Sequence, residues 1–313
     1  MSKISVVIPC YNSANFIGKV LTDIETTCKT KPEYDYEIIC VCDASPDNVF
    51  EVLSDIAKNN KRLKCINLAK NFGQHAALMT GFRYVSGDVI VCMDDDGQTP
   101  PSEMFKLIDK LDEGYDAVFA KYSNKQHSGF RNFGSKINDY MADKLIGKPK
   151  DLAIMSYFAC KRFIIDEIIR YNNPYPYIAG LILRSTKNIT NVEIAHQKRI
   201  EGKSGYTFGK LFALWINGFT AFSIKPLRFA VCVGCVFSFI GFIFMIYTLI
   251  NKFFINPDAP MGYTSLMSVV LIIGGLLMLI LGMIGEYVGR IYISINNSPQ
   301  YVVRETVNIG DEK

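Results

Sequence analysis

Short apolar runs and amphipathic stretches alternate along the first 120 residues. "ISVVIP" (4–9), "YEIICVC" (36–42), "LKCINL" (63–68), "DVIVCM" (88–93) and "YDAVFA" (115–120) are apolar almost throughout, not at every second position. Such runs predict strands covered on both faces. Between them, 13–29, 47–59, 74–86 and 101–113 carry helical spacing, the last opened by "TPPSEM" with proline at a first-turn position. The alternation predicts an α/β layered domain with a mainly parallel sheet. After residue 120 the pattern loosens through 128–147 and 161–186, with no internal repeat or low-complexity tract.

Open parallel sheets bind ligands beyond the carboxyl ends of their strands. The polar oddities of the chain fall at those ends: "PCYNSANF" after the first strand, "DASPDN" after the second, "AKNFGQH" after the third and "DDDGQTPP" after the fourth. They are therefore expected to converge on one edge of the sheet.

The C-terminal third has a different character. Phe229 to Ile250 and Ala259 to Gly285 contain no Asp, Glu, Lys or Arg over 22 and 27 residues. The shorter run spans about 33 Å as a helix, enough for a bilayer core. Two transmembrane helices are expected, near 229–250 and 264–285, joined by the short "NKFFINPDAPMGY". Lys225 and Arg228 before the pair, with Arg290 and Arg304 after it, predict that both chain ends are cytoplasmic. "YTFGKLFALWINGFTAFSIKP" (206–226) carries the single Trp, Trp215, among lysines and suits helices lying in the membrane interface. The expected division is a 1–205 domain, interfacial helices at 206–226, a hairpin at 227–290 and a cytoplasmic tail at 291–313. "MSKISVVIPCYN" reads as a first strand rather than a cleavable leader. A multi-pass protein of the cytoplasmic (inner) membrane follows.

Composition refines this only slightly. Nine cysteines without paired zinc-type spacing fit a reducing compartment, and Cys232 and Cys235 read as small packing residues inside the first apolar run. A net charge of +4 leaves anionic partners unrepelled; no nucleic-acid partner is expected, and self-association stays open.

The strongest chemical signal is "MDDDGQTPP". Side chains alternate along a strand, so Asp94 and Asp96 share a face while Asp95 points away. Two carboxylates with the Gln98 carbonyl make an oxygen-rich site for a hard divalent ion, Mg²⁺ or Mn²⁺, bridging phosphates. The competing reading is a solvated acidic turn.

The chain resembles family 2 glycosyltransferases of the GT-A (Rossmann-like) fold, especially polyprenyl-phosphate sugar transferases such as dolichyl-phosphate mannose synthase and bacterial undecaprenyl-phosphate glycosyltransferases. The resemblance is carried in order by "VVIPCYNSANFI", "VCDASPDN", "NFGQHAALMTGFRYVSGDVIVCMDDDGQTPP", "HQKRIEGKSGYTFGKL", "FSIKPLR" and "GEYVGRIYISINNSPQYVV". It implies nucleotide contacts at Pro9, Tyr11, Asn12, Asp43 and Asp94, with Asp47 nearby, and metal ligands at Asp94, Asp96 and Gln98. Cys42 stands where the family often has a second acid, and Gly97 and Thr99 replace the usual Leu and Asp. The implied reaction is inverting transfer from a UDP- or GDP-linked sugar to a polyprenyl phosphate. Such an acceptor is already anionic, so the chemistry needs cations more than a base. Arg131, His196, Arg199, Lys203, Ser204 and Tyr206 are the candidate acceptor-phosphate contacts, with Arg131 and Arg199 also counted as catalytic beside Asp96. Asp95, also counted as catalytic, is the candidate to orient the acceptor or assist as base. The rival readings are a processive polysaccharide synthase, against which the absence of Gln-x-x-Arg-Trp speaks, and a catalytically inactive nucleotide-sugar-binding module.

Overall fold

The structure is a computed structural model that describes residues 2–122, 149, 152–174, 176–194, 262–296 and 299–310, with scattered positions between 231 and 254. The chain divides into two units, Met1–Thr207 with Ser298–Lys313, and Phe208–Asn297.

The first unit is built on an eight-stranded sheet. In chain order the elements are β1 (Lys3–Cys10), α1 (Ile17–Lys29), β2 (Asp35–Cys42), α2 (Val49–Asn59), β3 (Leu63–Leu68), α3 (Gln74–Phe82), β4 (Val89–Cys92), a 3₁₀ turn at Pro101–Glu103, α4 (Met104–Asp112) and β5 (Ala117–Tyr122). There follow β6 (Phe158–Lys161), α5 (Arg162–Ile168), α6 (Ile178–Ser185), β7 (Ile189–Ile194) and, after the second unit, β8 (Val303–Val307). The strand order is β7-β5-β6-β4-β1-β2-β3-β8. β4, β1, β2 and β3 are mutually parallel, as is the β5–β7 pair; β6 and β8 run antiparallel to their neighbours.

Both faces of the central strands are covered, which is why their sequences are continuous apolar runs. Ile4, Val6, Ile8, Ile38 and Cys40 pack with Ile17, Leu21 and Ile24 of α1, Leu53 of α2 and Ile108 of α4 in one core. On the opposite face α3 lies so close that a Cβ on Gly81 would stand 2.6 Å from the Val7 side chain. Only glycine permits that approach.

The five expected strands are present, within two residues at their ends. Helices α1 and α2 start later than their spacing predicts, at 17 and 49 instead of 13 and 47; before α1 the amides are spent on neighbouring loops. Tyr11, Asn12 and Ala14 donate theirs to Asp95, Ser45 and Asp47. Helix α3 ends at Phe82 rather than 86, and the Ser86 amide goes instead to Glu37. The segment read as a tail returns to the sheet. β8 pairs with β3, and Asn308 Nδ2 donates to the carbonyls of Ala57, Asn60 and Leu63 at 2.7, 3.0 and 2.9 Å, closing the end of α2.

In the second unit the helix α7 (Tyr263–Ile295) extends ten residues past the 285 expected, through Glu286 and Arg290. Its Ile272–Gly289 window has a mean hydropathy of 1.9, is long and apolar enough to cross a membrane, and has no buried share within the structure. It is the one such helix among the described residues. The interfacial stretch 206–226 lies outside them.

Candidate active site

β1 is flanked by β2 on one side and β4 on the other, so the chain leaves it in opposite directions and a crevice opens beyond its carboxyl end. The loops after β1, β2, β3 and β4 meet there. Asp95 Oδ2 accepts the Tyr11 amide at 2.9 Å, joining the fourth loop to the first. Asp47 Oδ2 accepts the Ala14 amide at 2.9 Å, and its Oδ1 accepts the Ser45 hydroxyl at 2.6 Å, while Ser45 Oγ accepts the Asn12 amide at 2.8 Å. This lattice joins the second loop to the first. Asp47 also accepts the Val49 amide at 3.3 Å, so it serves the start of α2 as well.

Asp43 is buried at the end of β2. Its two oxygens accept the amides of Phe72 and Gly73, both at 2.7 Å, which joins the second loop to the third. Burial raises its carboxyl above the usual range and the two amides oppose that rise. Gly73 sits at φ +91°, a backbone that aims its amide at Asp43 and that side-chain-bearing residues rarely adopt. Cys42, where an acid is common in similar chains, faces the core beside Cys10 of β1. Pro9, Tyr11, Asn12 and Asp43 thus share one rim; Tyr11 and Asn12 are exposed on it and Asn12 adopts φ +56°.

The acidic triplet is a turn rather than a strand continuation, since β4 ends at Cys92. The three carboxylates take different hydrogen-bond partners. Asp94 Oδ1 accepts Gln74 Nε2 at 2.8 Å, and its Oδ2 accepts the Ser156 hydroxyl. Asp96 Oδ1 accepts the amide of Gln98 at 3.0 Å, closing a tight turn through Gly97 at φ +73°. Asp95 turns toward the first loop. Burial pushes its carboxyl up to about 6, and the charges of Asp94 and Asp96 add to that, against the Ser13 hydroxyl and the Tyr11 amide. Tyr122, at the end of β5, feels the same two charges, which add to burial in pushing its phenol to about 12. Among the described residues no set of three His, Cys, Asp or Glu side chains forms a ready-made metal cage. The donor set suits an ion held by two carboxylates and completed by phosphate oxygens, the habit of Mg²⁺ and Mn²⁺ at diphosphates.

Gln74, Ser156 and Tyr122 were not singled out from the sequence. Gln74 does lie inside the strand-end stretch "AKNFGQH", but nothing local signals that residues 20 and 62 positions from Asp94 bind the same carboxylate. Arg131, His196, Arg199, Lys203, Ser204 and Tyr206 lie outside the described residues.

The family 2 glycosyl transferase model matches residues 5–169, and the GtrB C-terminal hairpin model matches 225–291. An undecaprenyl-phosphate 4-deoxy-4-formamido-L-arabinose transferase of Proteus mirabilis (strain HI4320) is 32% identical over 311 residues, covering 99% of this chain and 95% of the relative. The protein of the same name from Klebsiella pneumoniae (strain 342) is 31% identical over 309 residues, covering 98% and 94%. Among solved structures, glucosyl-3-phosphoglycerate synthase from Mycobacterium tuberculosis in complex with Mn²⁺ and UDP-glucose matches at TM-score 0.54 and 18% identity, over 70% of this chain and 77% of that one. Mannosyl-3-phosphoglycerate synthase from Rubrobacter xylanophilus matches at TM-score 0.54 and 17% identity, over 72% and 74%. The distant structures share the fold of the sheet domain, and the near-full-length relatives share its sequence. With four strand-end loops gathered on an acidic turn inside the matched region, the chain belongs to glycosyl transferase family 2.

Proposed function

We propose that this glycosyltransferase moves a sugar from a nucleoside diphosphate to undecaprenyl or a similar polyprenyl phosphate, with inversion at the anomeric carbon. The observation that carries the reading is near-complete coverage by undecaprenyl-phosphate sugar transferases, extending through the apolar C-terminal third. The rim formed by Pro9, Tyr11, Asn12 and Asp43 would receive the nucleotide. Asp94, Asp96 and the Gln98 carbonyl would hold Mg²⁺ or Mn²⁺, which offsets the charge of the leaving diphosphate when bound.

The acceptor phosphate is anionic near neutral pH and attacks without a strong base. What it needs is a path past the carboxylates. Asp95, held by the Tyr11 amide, positions the acceptor relative to the first loop. Arg131, Arg199 and Lys203, with His196, Ser204 and Tyr206, would neutralise and orient the phosphate; an arginine does so bidentately and a lysine as a point charge. α7 and the 225–291 match support a hairpin anchored in the cytoplasmic membrane, with both termini cytoplasmic, so that enzyme and lipid meet at its inner face.

Asp96→Asn tests the assignment. Lipid-linked sugar formed from labelled donor and undecaprenyl phosphate should fall by about 1,000-fold, since loss of a site worth ~4 kcal/mol in the transition state has that effect. Undiminished turnover in a folded Asp96→Asn protein would sink it.

A further inference from the structure

The carboxylate of Asp94 is held at both oxygens. Oδ1 accepts Gln74 Nε2 at 2.8 Å, and Oδ2 accepts the Ser156 hydroxyl. An aspartate side chain has two torsions, so a donor on each oxygen fixes the plane of the group as well as its direction. The backbone of Asp94 is fixed too. The hydroxyl of the buried Thr99 accepts the Asp94 amide and donates to the Asp94 carbonyl, both at 3.2 Å. Gln74 and Ser156 are neutral, so these two bonds aim the carboxylate without cancelling its charge. A lysine or arginine in either place would compete with a bound cation.

Both donors stand on anchored backbone. Gln74 opens α3 directly after Gly73, whose amide and that of Phe72 bind the buried Asp43 at 2.7 Å. Ser156 lies in the segment before β6, which is pinned on either side of it. Ahead of it, the Asn191 side chain in β7 pairs with the backbone of Ala153 as a neighbouring strand would. Asn191 Oδ1 accepts the Ala153 amide and Nδ2 donates to the Ala153 carbonyl, both at 2.7 Å, while Nδ2 also donates to the Phe119 carbonyl at 3.0 Å. Behind it, the fully buried Tyr157 donates its hydroxyl to the Pro100 carbonyl at 3.1 Å, at the far end of the acidic turn. The side chains of Gln74 and Ser156 are exposed, yet the chain that carries them is tied down. Such support is what a group needs if it is to orient another.

We propose that Gln74 and Ser156 are positioning residues for the donor diphosphate: they set the direction in which Asp94 presents its carboxylate to a divalent cation, and so govern how tightly the cation and diphosphate are held rather than how fast the sugar is transferred. The inference rests on the reading of the acidic turn as the sugar-diphosphate site. Hydrogen-bond partners of a ligating carboxylate commonly govern metal affinity by about 10–100-fold. Because both side chains are exposed, truncating either spares the core and leaves Asp94 free to rotate.

The test uses the full chain in detergent micelles, with Mn²⁺ and UDP as probes. Free Mn²⁺ is read from its paramagnetic resonance signal and UDP binding by calorimetry. Gln74→Leu and Ser156→Ala are each expected to weaken Mn²⁺ binding in the presence of UDP by about 10-fold or more, with unchanged melting temperatures. Ser156→Thr, which keeps the hydroxyl, should recover most of that affinity. In lipid-linked sugar formation the Mn²⁺ concentration for half-maximal rate should rise by the same factor, whereas saturating Mn²⁺ should bring kcat back to within about 3-fold of wild type. Adding Gln74→Leu to Asp94→Ala should weaken UDP binding by less than about 2-fold further, since a residue that acts through Asp94 then has nothing to position. Unchanged Mn²⁺ affinity in both single variants, full additivity in the double variant, or a loss of kcat that saturating Mn²⁺ does not restore would each overturn the proposal. A wild type that binds Mn²⁺ with neither UDP nor GDP would remove the donor-site reading and the proposal with it. Wild-type binding that both variants retain would remove the positioning role alone.

Discussion

Glu37 at one end of the sheet strands and the aspartate triplet at the other are treated in different ways. At the amino ends of the strands Glu37 is almost fully buried and fully answered. The Ser5 hydroxyl and Ser86 amide donate to it at 2.6 Å, the Ser86 hydroxyl at 2.8 Å, and the ammonium groups of Lys3 and Lys64 stand 3.2 and 3.0 Å away. Burial would raise this acid, but the bonds from Ser5, Ser86 and Lys64 outweigh it and hold the carboxyl down to about 2. At the carboxyl ends Asp94, Asp95 and Asp96 follow one another in a single turn, and burial with the charges of its two neighbours pushes Asp95 up to about 6. Glu37 lies in β2 and the triplet follows β4, two strands of the same sheet. Around Glu37 the protein itself supplies the counter-charge, as at a structural site, whereas the charges nearest Asp95 are those of two further carboxylates.

The comparison breaks most sharply if the two edges are swapped in function. Asp96→Asn should remove transfer while leaving the melting temperature within a degree or two of wild type. Glu37→Gln should do the opposite, costing about 3 kcal/mol of stability, as the shift from 4.5 to about 2 implies, because Lys3 and Lys64 lose their partner. Its folded fraction should turn over normally. Loss of turnover per folded molecule in Glu37→Gln would show that the amino-end cluster is not purely structural.

pH separates them next, with opposite signs. The contribution of Glu37 is complete above its unfolded value of 4.5 and is lost as pH falls from there toward 2. Folded Asp95 keeps its proton up to about 6 while the unfolded chain releases it near 3.8, so its effect on stability worsens as pH rises through that window. Asp95→Asn should therefore be about 2 kcal/mol more stable than wild type at pH 7.5 and no different at pH 4, read from thermal melts. A variant no more stable at pH 7.5 would mean that the crowding is already relieved.

The smallest expected effect is a melting shift of a few degrees when Mn²⁺ is added with UDP, by mass action on the folded state. Asp96→Asn should abolish it and Glu37→Gln should keep it. A shift that survives Asp96→Asn would place the ion elsewhere.

Much of the sheet was legible because burial on both faces writes itself into β1–β5 as unbroken apolar runs. β6 was not, being four residues, Phe158–Lys161, that end on a lysine. β8 was not either: Arg304 and Glu305 are exposed, as suits an edge strand, and its partner β3 lies more than 230 residues earlier. Hydrophobic periodicity is a local signal and strand pairing is not. In the same way the acids of the site could be read, but their partners could not, since Asp94 is held by Gln74 and Ser156 from two other elements.

By itself, then, the amino-acid sequence determined a layered α/β domain, an acidic turn at a strand end and an apolar C-terminal region, because each depends on residues adjacent in the chain. The tertiary structure alone decided that Asp95 faces the first loop, that Asp43 binds the third, that β8 closes the sheet edge, and that Gln74 and Ser156 meet on Asp94. These are consequences of which strand ends lie side by side, and strand order is set by packing across the whole sheet rather than by any local pattern.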